Sequence, residues 1–307
     1  QTCAFRSEFM DRLNPRRRVF AYLGNCGKKV TAAAMPAIVS SFFTRAYGQG
    51  STSLTPAVVG VLDLALQLEY LEYYFYDTAL NTSGLVDASN RPAIEIIRND
   101  EAGHINSLRS IPGYTPSFPT PTRADFDYSG GMGTGAGPLR DALTPGNEAL
   151  FFAAAQSFSD TGGRAYKGGA PVLNTTATKD ILEAALNIHS VEARHNSHFR
   201  SVRRGLPNQR GVDSVALPGV SPFDMVPKSW VSLAPNGKPD NDGPMAPNGS
   251  RPAAAVYGPG SPADQYPAES NTAQKPSASV AAVDLTTLNS TYTAALVSEA
   301  FDEPLDA

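Results

Sequence analysis

NDEAGHINSL, residues 99–108, and SVEARHNSHF, residues 190–199, each contain Glu-x-x-His: Glu101 with His104, and Glu192 with His195. All four histidines of the chain lie in or directly beside these two stretches. On a helix, residues three apart are neighbours, so each copy presents a carboxylate and an imidazole from one face. At about 100° per residue, Ile97, Glu101, His104 and Leu108 form one stripe, and Ile188, Glu192, His195 and Phe199 form another. Polar groups thus stand within apolar rows. Equivalent residues are 91 apart throughout, which suggests two related helical units and a bundle built from two hairpins.

Carboxylates buried in a helical bundle are costly unless a cation or a hydrogen-bonded partner balances them. Two readings follow. Either a bound metal ion supplies the balancing charge, or Glu and His pair with each other and with Arg and Tyr in a polar core layer. Two copies in matching apolar stripes favour the metal.

The remaining sequence supplies the other helices. The run AVVGVLDLALQLEYLEYYFYDTAL predicts a first helix over about Pro56 to Ala79, with Thr55 as N-cap and Pro56 at the first position. Leu62, Ala65, Leu66, Glu69, Tyr73 and Tyr76 share a face, which sets Glu69 in apolar company, while Glu72 is expected at the bundle edge or in solvent. Asn90, Arg91 and Pro92 open the second helix. A Gly- and Pro-rich connection over about Ile111 to Leu139 leads to a third helix over about Pro145 to Tyr166, where Gly162 and Gly163 allow close contact or mark a break. A fourth helix runs from Lys179 to Arg203. His189 and His198 fall off its stripe and are left out of the site. Tyr70, Tyr73, Tyr74, Tyr76 and Tyr166 at helical spacing read as core or hydrogen-bonded packing.

Composition divides the 307 residues into three parts. Residues 1–48 resemble an export signal: Arg17-Arg18-Val19-Phe20 is similar to the twin-arginine motif, and a weakly apolar stretch leads to a cleavage point after Gly48. Residues 49–204 hold the four helices. Residues 205–307 form a tail rich in Pro, Gly, Asn and Ser, which is unsuited to long helices or central strands. Cys3 and Cys26 are the only cysteines and both precede the cleavage point, so the remainder has no disulfide or thiolate chemistry. Without residues 1–48, which hold eight of the 25 basic and two of the 29 acidic residues, the net charge is −10. Nucleic acid and anionic membrane surfaces are therefore not expected as partners. Outside residues 1–48, no segment approaches the roughly 20 apolar residues that span a bilayer. No Gly-rich phosphate loop opens a helix, and no Ser or Cys nucleophile is paired with a suitable His.

LALQLEYLEYYFY (64–76), DEAGHINSL (100–108), AQSFSDTGGRAYKGGAP (155–171) and VEARHNSHFRS (191–201) together resemble the bacterial ferritin-like domain family related to plant desiccation-related proteins and fungal stress-response relatives. The closing EAFDEPLD (299–306) also resembles the end of bacterial members, which implies that the tail packs on the bundle. The resemblance implies an all-α, four-helix ferritin-like bundle with a carboxylate and histidine site. Carried onto this chain, Glu69 is a terminal ligand, Glu101 and Glu192 are bridging carboxylates, and His104 and His195 each cap one metal.

The second terminal carboxylate of such a site is expected from the third helix, where this chain has Ser159. Ser is a neutral, weak ligand, so the His195 half is impaired while the Glu69 and His104 half is intact. Asp160 compensates only if the helix rotates by about 100° or loosens at the following glycines. The resulting expectation is an exported, periplasmic or extracellular protein binding one or two iron or manganese ions and handling metal or reactive oxygen. Its alternative is a non-catalytic structural or stress-protective bundle. The oligomeric state is left open.

Overall fold

The computed structural model describes residues 54–131, 133–137, 139–203, 254–275 and 280–306. The export-like segment with Cys3 and Cys26, and residues 204–253 of the tail, lie outside them. Four long helices dominate: α1 (Pro56–Asn81), α2 (Arg91–Arg109), α3 (Glu148–Leu173) and α4 (Lys179–Arg203). Two short helices follow, α5 (Ala254–Tyr257) and α6 (Ala294–Ser298), and two-residue strands β1 (Ala273–Gln274) and β2 (Val283–Asp284) pair antiparallel between them.

Local chemistry sets the helix ends. The Thr55 hydroxyl oxygen accepts the Val58 N–H at 3.3 Å, and Pro56 begins α1 where no intrahelical donor is required. α1 and α4 match their expected starts, and α4 its expected end. α3 differs: it starts at Glu148 and continues through Gly168, Gly169 and Pro171 to Leu173, seven residues past its expected end at Tyr166. The glycines do not break it because close neighbours fill their open faces. A Cβ on Gly169 would meet Val61 at 2.6 Å, and one on Gly168 would overlap the carbonyl of Leu305.

α1 packs on α2, α3 packs on α4, and α1 meets α3. The interior has two apolar clusters. One gathers Phe75, Tyr76, Ile94, Ile97, Phe151, Phe152 and Phe199, and the other Val58, Leu62, Leu66, Ile105, Leu108, Leu173 and Ile188. Each fully buried large side chain contributes roughly 1.5–3 kcal/mol, so these clusters hold the bundle together. Every long helix passes from one cluster to the other at a polar step: Glu69 to Glu72 in α1, Glu101 to His104 in α2, Ser159 to Asp160 in α3, and Glu192 to His195 in α4. The polar groups form a layer between two dry ones.

The same ordering gives chain direction. α2 and α3 both run from the Phe75 cluster to the Leu62 cluster, so they are parallel, and their connection must return along the bundle. For a 19-residue helix that is about 28 Å, which explains the length of the crossover. The crossover lies against α1: Asp63 accepts from the Tyr114 hydroxyl at 2.7 Å and the Ser117 N–H at 3.2 Å, and Tyr74 donates to the Pro121 carbonyl at 3.1 Å.

Residues 254–306 also contact α3. Buried Arg164 pairs with Glu269 at 2.7 Å and donates to the Glu303 carbonyl at 2.9 Å, while the Leu305 N–H returns a bond to the Arg164 carbonyl at 3.1 Å. Tyr257 of α5 donates to Asp160 of α3. Among the described residues, no helix is long and apolar enough to cross a membrane.

Candidate metal centre

The polar layer draws on all four long helices. Glu69, Glu101, His104 and Glu192 place one ligand atom each within 4.8 Å of one another, and all four are buried. His104 Nδ1 lies 3.0 Å from Glu69 Oε2, 3.0 Å from Glu101 Oε2 and 3.4 Å from Glu192 Oε1. His195 Nδ1 lies 3.1 Å from Glu101 Oε1 and 3.8 Å from Glu192 Oε2. Glu101 and Glu192 therefore each direct one oxygen to one histidine and the other oxygen to the other. The ring centroids are 6.3 Å apart.

Residues around these five fix their orientation. Tyr166 donates its hydroxyl to Glu69 Oε1. His195 Nε2 faces Asp100 Oδ2 at 3.2 Å, leaving Nδ1 directed at the carboxylates. Such an outer carboxylate selects the tautomer and raises the basicity of a ligating histidine. Among the described residues, His195 stands beside the group whose ligand atoms lie within 4.8 Å of one another rather than in it, and neither His189 nor His198 belongs to that group.

Ser159 and Asp160 take different roles. Ser159, fully buried, donates its hydroxyl to Glu192 Oε2 at 3.2 Å, so it faces the cluster without bringing a charge. Asp160 pairs with Arg200 and Tyr257, and α3 neither rotates nor loosens to bring it into the site.

Glu72 departs from its expected place at the bundle edge. It is 3% exposed, and its Oε2 accepts from the Tyr76 hydroxyl at 2.8 Å. The sequence offered a signal for this, since Glu72 lies one helical turn after Glu69, but Gly162 makes the space that admits it. A Cβ on Gly162 would stand 3.0 Å from Glu72 Oε1. Asp100 was likewise overlooked; its signal was adjacency to Glu101.

The electrostatics describe a site short of positive charge. Burial pushes the Glu69 carboxyl up to about 8 against the pull of His104. Burial, then the charges of Glu192, Glu101 and Glu69, hold Glu72 well above the ordinary carboxyl range. Burial would raise Glu192 too, but the adjacent His104 and His195 imidazoles outweigh it and lower that group to about 2. Burial would depress both imidazoles, yet the surrounding carboxylates raise His104 well above its usual range and His195 to about 12.

The donors suit a divalent cation. Among the described residues, Glu101 Oε1, Glu192 Oε1 and His195 Nδ1 are buried and find no hydrogen-bond partner, although each stands beside an oppositely charged group. Such atoms are expensive to leave unmet, and metal coordination would satisfy them.

Residues 57–204 match the family model described as ferritin-like domain. The bundle is a ferritin-like domain. No curated protein and no solved structure matches the chain. In this ferritin-like domain the buried Glu and His cluster lies within metal-binding distance, in the layer where the helices exchange one apolar cluster for the other.

Proposed function

We propose that this ferritin-like domain holds one or two iron or manganese ions through Glu69, Glu101, His104, Glu192 and His195, and that the protein handles metal or reactive oxygen after export. The observation that carries this reading is the placement of Glu101 and Glu192 between His104 Nδ1 and His195 Nδ1, with three of these buried atoms lacking a hydrogen-bond partner. Carboxylate and imidazole donors suit both metals, and a bound ion of either kind would supply electron transfer at this place.

The chain's own residues bind and orient. Asp100 keeps the proton of His195 on Nε2, so Nδ1 can act as a donor atom. Tyr166 positions Glu69, and the apolar clusters on either side exclude bulk water. Binding would displace the protons held by Glu69 and the imidazoles, so uptake should release protons.

The kinship with plant desiccation-related proteins and the export of the chain belong to the same proposal, supported by the sequence motifs. A second reading, a structural or stress-protective bundle without metal chemistry, is favoured by Ser159 at the level where a fourth carboxylate is expected. Metal analysis of protein from its native source, followed by reconstitution with iron and manganese, decides between the two. Absence of bound metal in both preparations would leave the structural reading.

A further inference from the structure

We infer that Glu72 of α1 supplies the carboxylate that α3 lacks, completing the His195 half of the centre. The inference rests on the proposed metal site and assigns a ligand to it. At the level of the centre, α3 presents Ser159, whose hydroxyl donates to Glu192 Oε2 at 3.2 Å but carries no charge. Three residues further on, α3 has Gly162. A Cβ there would stand 3.0 Å from Glu72 Oε1 and 3.3 Å from Glu192 Oε2, so the two carboxylates share the hollow left by the missing side chain.

Glu72 and Glu69 lie on adjacent turns of one helix, yet they serve different sides of the cluster. Glu69 faces His104 and Tyr166. Glu72 is held by Tyr76 through Oε2, while its Oε1 and the Glu192 oxygen nearer His195 both lie beside Gly162. A second ionised carboxylate buried against Glu192 is unfavourable unless a proton or a cation is bound there. Independently, His195 Nδ1, 4% exposed, and Glu101 Oε1, in a fully buried residue, face each other without a hydrogen-bond partner. Together with Glu192, Glu101 and His195, Glu72 would supply the donors of a second ion; neither Glu72 nor His195 belongs to the group of ligand atoms already within 4.8 Å of one another. One helix would thus carry both terminal carboxylates, and a glycine on another makes room for it.

The test uses the full chain stripped by a chelator, titrated with Mn(II) and Co(II), and read by metal content per chain and by the Co(II) absorption spectrum. Wild type should bind two ions, Glu72→Gln one, and Glu72→Gln with Ser159→Glu two again, because the charge returns from the expected helix. Glu101→Gln serves as reference and should lose both. Two ions bound with unchanged affinity in Glu72→Gln would overturn the inference while leaving the site standing, as would a wild type that binds only one. No binding in wild type would overturn the site itself and the inference with it. Should Glu72→Gln fail to fold by circular dichroism, Glu72→Asp decides: the second ion should bind at least tenfold more weakly, and unchanged affinity would refute the role.

Discussion

Glu101 Oε1 and His195 Nδ1 lie 3.1 Å apart across the space between α2 and α4, both buried and neither hydrogen bonded among the described residues. The other oxygen of Glu101 stands 3.0 Å from His104 Nδ1, so one carboxylate ties both halves of the centre together. No other single substitution in the cluster should affect both halves as strongly, apart from its counterpart Glu192.

Glu101→Gln should therefore abolish binding of iron and manganese while leaving the helical content intact, since the amide fills the same space. Metal content by mass spectrometry and far-ultraviolet circular dichroism check this. A Glu101→Gln protein that retains its metal would show that the ion sits elsewhere.

Metal-free protein should lose stability as pH rises. Glu69 moves from 4.5 to about 8 on folding, so the folded state binds more protons between these values. Its contribution is fully present below 4.5 and is lost as pH rises to about 8. His195, raised from 6.5 to about 12, acts with the same sign over a higher range. Thermal midpoints of the chelated protein between pH 4.5 and 8 should fall more steeply than those of Glu69→Gln; parallel curves would rule out this role for Glu69.

Adding metal should reverse that loss. An ion that binds the folded state alone stabilises by about 2.7 kcal/mol at a hundredfold excess over its Kd. The gain in melting temperature should grow from pH 6 to pH 8, as fewer protons must be displaced. A gain independent of pH would argue that binding does not use Glu69 or the histidines.

Attachment of the C-terminal segment rests on Arg164 and Gly168. Arg164→Ala leaves Glu269 buried without its partner, a change that typically costs about 3–5 kcal/mol. Gly168→Ala sets a methyl group against the Leu305 carbonyl. Both variants should become susceptible to proteolysis within residues 254–306 before the four long helices are cut. Wild-type protease resistance in both would mean that these contacts do not secure the segment.

Export predicts a processed chain. Protein recovered from the periplasm or medium should begin close to Gln49, as read by N-terminal sequencing. Recovery with Arg16 to Arg18 still attached would show that the segment is retained.

Much of this protein could be read from its sequence because the relevant physics is local. Helical periodicity alone placed Glu101 beside His104 and Glu192 beside His195, and set Glu69 in an apolar face; capping chemistry located Thr55 and Pro56 at the start of α1. α4 runs from Lys179 to Arg203 because its stripe is continuous and nothing inside it competes with the helix. α3 was harder, since Gly162 and Gly163 read equally well as a break or as a close contact.

Packing between helices brings Glu72 to the centre and turns Asp160 away from it. Glu72 and Asp160 are both acidic and both sit in helices beside apolar residues, so sequence spacing does not separate them. Gly162, 90 residues away from Glu72 in the chain, leaves the hollow that Glu72 enters, while Arg200 and Tyr257 claim Asp160 for the face covered by the C-terminal segment. Four amphipathic helices, and a histidine-carboxylate pair on each of two, were legible in the chain alone because they follow from neighbours within one turn. The fourth carboxylate, the Asp100 support for His195 and the Tyr166 bond to Glu69 depend on contacts between helices, and packing alone sets how each helix is rotated against the next.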